Sequence, residues 1–554
     1  MRRRLGSDSS RPALLVTVLA ALVTWTPLYQ QSSATASQLA STLTPQEREA
    51  AAHVSADVIR EVTSALASNE MQGRGTGQPG GDKAAAYLAD QFNRLKLKPL
   101  GDGGSYLQSI KFKVTDVAPT TSVKAGENAL TLGDDFVVAP PYSGDRNVKG
   151  ILVFVGYGLR NDFSGVDLKN KIAVLISGPP KNADEVAWRK ADSQRVIIAY
   201  LFRSGASGLV LTNAGSKRLS YAKLTDYLTR RQVALASEPD PPANLPPILY
   251  VSDQGAEKLF LDSGTTYAQA KQKADRGEPA SSSLKKSASI TVRLRTEKRA
   301  ASNVAGFLEG SDPVLKEQAV VYTAHFDAFG ISPDGRVYAG AADNALGVAE
   351  MVGIAEAFSR LPERPRRSII FLAVTGEEYG LLGSEHWVRH PTWKIEKLAA
   401  NLNFDGIGTE VYGPVRNIVG FGLEHSSLGA TLESVAKATG NSIVPDPMPD
   451  EKAFYRSDHY AFVKKGIPAL MLLGAPEGST TEFVGRAREW METDYHQPTD
   501  TVRADWNWDG PRGLAVVGVI VGIRIANENE MPRWLVSSPF NQPRGTSKTP
   551  PPMQ

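Results

Sequence analysis

Val320 to Gly330 reads VVYTAHFDAFG, Ala339 to Met351 reads AGAADNALGVAEM, Ser368 to Trp387 reads SIIFLAVTGEEYGLLGSEHW, and Asn401 to Gly408 reads NLNFDGIG. An acid or a histidine repeatedly stands where an apolar run ends. Ala319 to Ala324 stops at His325, Ser368 to Val374 stops just before Glu377 and Glu378, and Leu402 to Phe404 delivers Asp405. Short runs of this kind, rich in β-branched and aromatic residues, are strand signals. In an open α/β sheet ligands bind beyond the carboxyl ends of the strands, so these runs can bring His325, Glu377, Glu378 and Asp405 to one crevice. Such a convergence is how a metal site is built.

Working outward, Asp343 to Leu361 has the spacing of an amphipathic helix that ends before Pro362, and Glu424 to Thr439 has that of another that stops at Gly440. Strands alternating with helices predict an α/β fold: a mixed, mostly parallel sheet with helices on both faces. The 554 residues, 42% of them apolar and 22% charged, are enough for a large core and more than one domain. A formal net charge of +3, with no basic patch interleaved with aromatics, asks for no nucleic-acid partner. The chain has no cysteine, which excludes disulfides and thiolate metal sites, and it has seven histidines.

At the N-terminus, Arg2, Arg3 and Arg4 precede an apolar run from Pro12 to Leu28, and Ala34-Thr35-Ala36 follows as a small-x-small cleavage site. Residues 1–36 therefore read as a secretory signal peptide, giving a periplasmic or extracellular protein with no stable membrane anchor once it is cleaved. Thr44, Pro45 and Glu47 form a capping-box signature opening one long helix to Ala67. Gly73-Arg74-Gly75 marks a loop, with Arg74 equally readable as a functional cation or a surface turn residue. A second helix is expected over Ala84 to Leu97.

Residues 114–287 have a different texture. Short β-rich runs such as Gly150 to Tyr157 and Lys171 to Ile176 are separated by Gly-, Pro- and Asp-rich turns, a helical segment spans Asp192 to Arg203, and no histidine occurs. This stretch reads as a β-rich insert dividing a catalytic domain into residues 37–113 and 288–541. Residues 542–554, with four prolines and no apolar periodicity, read as a disordered tail.

Taken singly, His325-x-Asp327 is an ordinary structural pair and Glu377-Glu378 an ordinary solvated pair. The acids, however, follow an apolar strand, and in extended backbone adjacent side chains point opposite ways, so one can bind metal while its neighbour faces the bound water. Tyr495-His496-Gln497-Pro498-Thr499-Asp500 supplies a second histidine in a loop.

In order and spacing, HFD, AGAADNALGV, TGEEYGLLGS, NFDGIG and YHQPTDT resemble the zinc metallopeptidase family of bacterial secreted di-zinc aminopeptidases and glutamate carboxypeptidase. Ser193 to Asn213 also resembles the protease-associated (PA) insert of many members. The resemblance implies two zinc ions, one on His325 and Asp405, the other on Glu378 and His496, with Asp343 bridging and followed by a cis peptide. Glu377 would be the general base that takes a proton from the zinc-acidified water and returns it to the leaving amine. Asp327 would fix the tautomer of His325. The segment Tyr455 to Tyr460 resembles the one that carries a donor to the tetrahedral intermediate, with His459 favoured by motif position and Tyr455 and Tyr460 as alternatives. The activity implied is that of an exopeptidase on peptide substrates, an aminopeptidase first and a glutamate-releasing carboxypeptidase next. Glutaminyl cyclases share the fold with one zinc, and receptor-like relatives lose ligands, none of which is lost here.

Overall fold

The computed structural model describes residues 42–140, 144–159, 166–191, 193–212, 220–242 and 244–546. The expected signal peptide at 1–36 lies outside the described residues.

A large mixed sheet organises the chain. Its strands are β1 (Leu107–Val117), β2 (Gln232–Leu235), β3 (Leu294–Leu308), β4 (Ala319–His325), β5 (Ser368–Val374), β6 (Leu398–Phe404), β7 (Val415–Phe421), β8 (Ser442–Ile443) and β9 (Ala469–Pro476). They lie in the order β8-β7-β9-β6-β4-β5-β3-β1-β2, and Lys98–Pro99 adds a short pairing to β3. The centre, β9-β6-β4-β5, is parallel. Antiparallel neighbours extend it on each side, β7 beside β9 and β3, β1 and β2 beyond β5.

The central strands are apolar without alternation because both of their faces are covered. Along β4, Val320, Tyr322 and Ala324 join one core with the helices Ala56–Leu66, Gly347–Arg360 and Asp509–Asn527. Ala319 and Val321 face a second core with Trp387 and Phe462. The last helix approaches the sheet closely: a Cβ at Gly522 would fall 1.7 Å from the Tyr322 hydroxyl, which donates to the carbonyl of Gly518 at 2.9 Å. Although this helix is 19 residues long, no helix of the described residues is long and apolar enough to cross a membrane.

The capping box at Thr44 and Glu47 is present, but the helix it opens ends at His53. Val54 is extended and Ser55 caps a new helix over Ala56–Leu66, so one expected helix is two. A serine whose hydroxyl accepts from the amide three residues on restarts a helix as readily as it interrupts one. Buried Glu47 also takes the Arg524 guanidinium at 2.7 Å, joining the first helix to the last.

A second sheet, lying within residues 122–292, has eight strands in the order Asn128–Leu130, Ser122–Ala125, Ser282–Val292, Arg146–Phe154, Ile172–Ile176, Gly208–Thr212, Ile248–Val251 and Phe136–Val138. It encloses its own apolar clusters. The interposed stretch is not confined to that sheet, since β2 pairs with β1 at the edge of the main sheet.

The first five residues of the expected tail are held in place. The Gln542 amide donates to the carbonyls of Val463 and Lys464, Arg544 to that of Leu398 at 2.9 Å, and the Gly545 amide to that of Lys465 at 2.8 Å. Composition alone misses such backbone-directed pinning. Residues 547–554 lie outside the described residues.

Candidate metal centre

Three adjacent parallel strands, β5, β4 and β6, end at one crevice. His325 is the last residue of β4, Asp405 directly follows β6, and Glu377 and Glu378 come after β5 through Gly376, which turns the chain at φ 77°. The two glutamates occupy a tight turn, Glu377–Tyr379, instead of extended backbone. The turn still separates them. Glu378 Oε2 lies 2.9 Å from His496 Nε2, whereas Glu377 Oε2 lies 3.8 Å from His325 Nε2.

Asp343 stands between the histidines. Its Oδ1 is 3.3 Å from His325 Nε2 and its Oδ2 is 3.4 Å from His496 Nε2. Asp405 Oδ1 is 3.2 Å from His325 Nε2. The groups that can hold a cation are therefore His325, Asp343 and Asp405 on one side and Asp343, Glu378 and His496 on the other. In a tetrahedron with metal–ligand bonds of about 2.0 Å the ligands stand about 3.3 Å apart, close to the 3.2–3.4 Å that separates Asp343 from each histidine and Asp405 from His325, with Glu378 somewhat nearer to His496 at 2.9 Å.

The segment carrying Asp343 is irregular where a continuous helix was expected. Residues 341–346 precede the helix Gly347–Arg360, and the Asp343–Asn344 peptide is cis. Buried Asp500 accepts the amides of Ala342 at 2.9 Å and Asp343 at 3.0 Å, and Asn344 donates to the carbonyl of Phe404 at 2.9 Å. Arg74, far from being a surface turn residue, is fully buried behind this loop. It donates to the carbonyls of Phe326, Leu66, Ala339 and Gly340 at 2.5–2.7 Å. Asp327 is buried too, but it reaches His325 Nδ1 through its main-chain carbonyl at 3.2 Å. Its carboxylate stands off that nitrogen at 3.8 Å and accepts instead the Glu377 amide at 3.2 Å and the Thr76 hydroxyl at 3.2 Å. Asp327 thus holds the turn that carries Glu377 as well as the histidine.

Without a cation the site is a crowd of acids around two imidazoles. Burial lifts Glu377 well above the carboxylate range, and Asp405, Asp458 and Glu378 lift it further. Burial opposes charge on the histidines, yet Asp405 and Glu377 raise His325 well above its ordinary value, and Glu378 and Asp343 raise His496 to about 9. For Asp343 burial is outweighed by its hydrogen bonds to His325 and His496, which hold it well below the usual range. These acids favour positive charge at this place.

Beside the acids opens a cavity of about 110 Å³ whose wall includes Ile407, Phe421, Met448, Met471, Leu473 and Met491. Ser457, Arg456 and Tyr495 also line it. His459 is fully buried, edge-on to Phe454 with centroids 5.2 Å apart, and burial lowers its pKa to about 4. Tyr455 and Tyr460 meet edge-on, centroids 5.2 Å apart, in the cluster around Phe454 and Phe540. None of these three lines the cavity; the tyrosine that does is Tyr495. Its ring stacks on His496 at 3.7 Å and its hydroxyl accepts from Arg456 at 3.1 Å. Its position directly before His496 was the available signal in the sequence.

Residues 303–517 match the profile of Peptidase family M28. Aminopeptidase YwaD of Bacillus subtilis is 24% identical over 438 residues, spanning 76% of this chain and 74% of that protein. Aminopeptidase NAALADL1 of Mus musculus is 27% identical over 328 residues, spanning 51% of this chain and 41% of that protein. Among solved structures, an aminopeptidase from Aneurinibacillus sp. strain AM-1 superposes with a TM-score of 0.55 at 19% identity, covering 92% of this chain and 98% of that one. BSAP, a zinc aminopeptidase from Bacillus subtilis, gives 0.52 at 17%, covering 86% and 96%. These superpositions agree with the mixed sheet described above.

Proposed function

We propose that the chain, whose residues 303–517 match the profile of Peptidase family M28, is a di-zinc aminopeptidase. The observation that carries the reading is Asp343, which offers one carboxylate oxygen to each histidine, so that five side chains from separate segments make two ligand sets sharing one acid. A receptor-like relative without catalysis would have no use for both sets.

His325, Asp343 and Asp405, and Asp343, Glu378 and His496, would hold the two zinc ions, which when bound would supply Lewis-acid polarisation of the scissile carbonyl and acidify the attacking water. Glu377 lies at the same cleft without belonging to either ligand set, and it takes the proton and returns it to the leaving amine. Tyr495 accepts a hydrogen bond from Arg456, which leaves its own proton to donate to the oxyanion. Replacing Tyr495 with phenylalanine is expected to lower kcat about a hundredfold, the scale for losing one oxyanion donor, with little change in KM. Steady-state kinetics on a chromogenic amino-acid anilide check this; unaltered kcat would remove Tyr495 from the role.

The apolar wall of the cavity suits an apolar first residue, and the free α-amine meets Glu377 and the other acids. A carboxypeptidase needs a cationic grip instead. Arg456 is held by the Glu451 carboxylate and the Tyr495 hydroxyl, and Lys464 pairs with Glu385. The test is hydrolysis of matched peptides with free and acetylated N-termini. Acetylation is expected to cut kcat/KM tenfold or more, since a charged hydrogen bond contributes about 1.5–3 kcal/mol. Equal rates with residues leaving from the C-terminus would overturn the reading. Residues 1–36 are proposed to direct export and 114–287 to form a PA-type insert; N-terminal sequencing of secreted protein beginning at Met1 would refute cleavage.

A further inference from the structure

We propose that Arg230, which belongs to the interposed stretch and to none of the motifs, is the positioning residue that holds His496 as a metal ligand. The inference rests on His496 serving as a zinc ligand. Arg230 follows the helix Tyr221–Thr229 and is 5% exposed. Its guanidinium lies over the Phe329 ring at 4.0 Å and over the Tyr338 ring at 4.4 Å. Its Nη2 pairs with the Asp226 carboxylate and also donates to the main-chain carbonyl of His496 at 2.5 Å.

His496 needs such a hold. Its φ is 58°, in the left-handed region that a residue with a Cβ adopts only where its surroundings impose it. Phe329, which supports Arg230, also meets the His496 imidazole edge-on, with centroids 4.8 Å apart and planes at 70°. Backbone and ring of one ligand are thus gripped by one assembly. On the far side Asp226 takes the Tyr338 hydroxyl and Arg336 at 2.7 Å, which fixes the acid that fixes Arg230. Desolvating a guanidinium is costly, and an apolar side chain would fill the space between two rings without that cost. What the apolar side chain lacks is a donor for the His496 carbonyl.

The interposed stretch therefore takes part in metal binding at a distance from the ligands themselves. Partners that orient metal ligands typically change affinity by about 10–100-fold when removed. The experiment is competition of zinc against a chromophoric chelator, on wild type, Arg230→Met and Arg230→Lys, with melting followed by circular dichroism. Wild type is expected to bind two zinc ions. Arg230→Met is expected to keep one of them at wild-type affinity and to weaken the other about 10–100-fold, and saturating zinc should restore turnover. Arg230→Lys, which keeps the charge but not the fork, is expected to fall between. A merely structural Arg230 would lower the melting temperature and leave both zinc affinities unaltered, and that result would overturn the proposal. If Arg230→Met does not fold, Arg230→Lys decides on the same readout: weakened binding of one zinc supports the proposal and unaltered binding overturns it. Wild-type protein that binds no zinc would instead overturn the di-zinc reading, and the inference with it.

Discussion

Glutamine at position 377 is expected to reduce kcat by about 10²–10⁴, the range attributed to a positioned general acid–base, while both zinc ions stay bound. The amide keeps the shape of the side chain and loses the ability to take a proton and return it. Geometry separates this residue from its neighbour. Glu378 lies 2.9 Å from His496 and belongs to a ligand set, whereas the nearer histidine to Glu377, His325, stands 3.8 Å away. The main-chain amide of Glu377 is held by the buried Asp327 carboxylate, so the turn should keep its place in the variant. Glu378→Gln is the contrasting control and is expected to lose zinc from the His496 side. Metal analysis and kinetics on the same preparations check both. Near-wild-type turnover in Glu377→Gln, or zinc loss equal to that of Glu378→Gln, would remove Glu377 from the role of base.

The pair of glutamates also marks how far sequence reasoning reaches. Apolar runs ending in acids place His325, Asp405 and the glutamates at one end of a parallel sheet because side-chain burial in such strands is written in consecutive residues. The same local logic gives the capping box at Thr44 and Glu47. It does not give the break at Val54, where a helix restarts on a serine that reads equally well as helix interior. Nor does it give the residues that act across the chain. Arg74 meets backbone carbonyls as far as 266 residues away, Asp500 holds amides 157 and 158 residues away, and Arg230 reaches His496 across 266. Main-chain carbonyls and amides carry no residue identity, so a partner that binds them leaves no complementary residue to notice. His459 shows the converse: a place within a motif says where a residue falls in order, and packing decides which side chain lines the cavity.

Loading the protein with zinc is expected to release protons at pH 7, and stripping the zinc to abolish turnover until the metal is returned. The argument starts from the cation-free site. His496 is raised there to about 9 by Glu378 and Asp343, so at pH 7 its imidazole carries the extra proton, and Asp405 and Glu377 raise His325 in the same direction. A zinc ligand must be the neutral imidazole, and each proton expelled makes the apparent affinity rise about tenfold per pH unit. The slope contributed by His496 should flatten above about pH 9, where no proton remains to expel. The stability of the zinc-free protein follows the opposite sign. A histidine raised in the folded state stabilises fully below its unfolded pKa of about 6.5 and loses that contribution as pH climbs through about 9. The stripped protein should therefore melt at progressively lower temperature over that interval, while the loaded protein, whose ligands no longer titrate there, should not. Titration of zinc in weakly buffered indicator solution counts the protons, and melting curves with and without chelator follow the stability. Zinc affinity independent of pH from 6 to 9, with no protons released, would show that the surrounding acids do not hold these histidines protonated in the cation-free site.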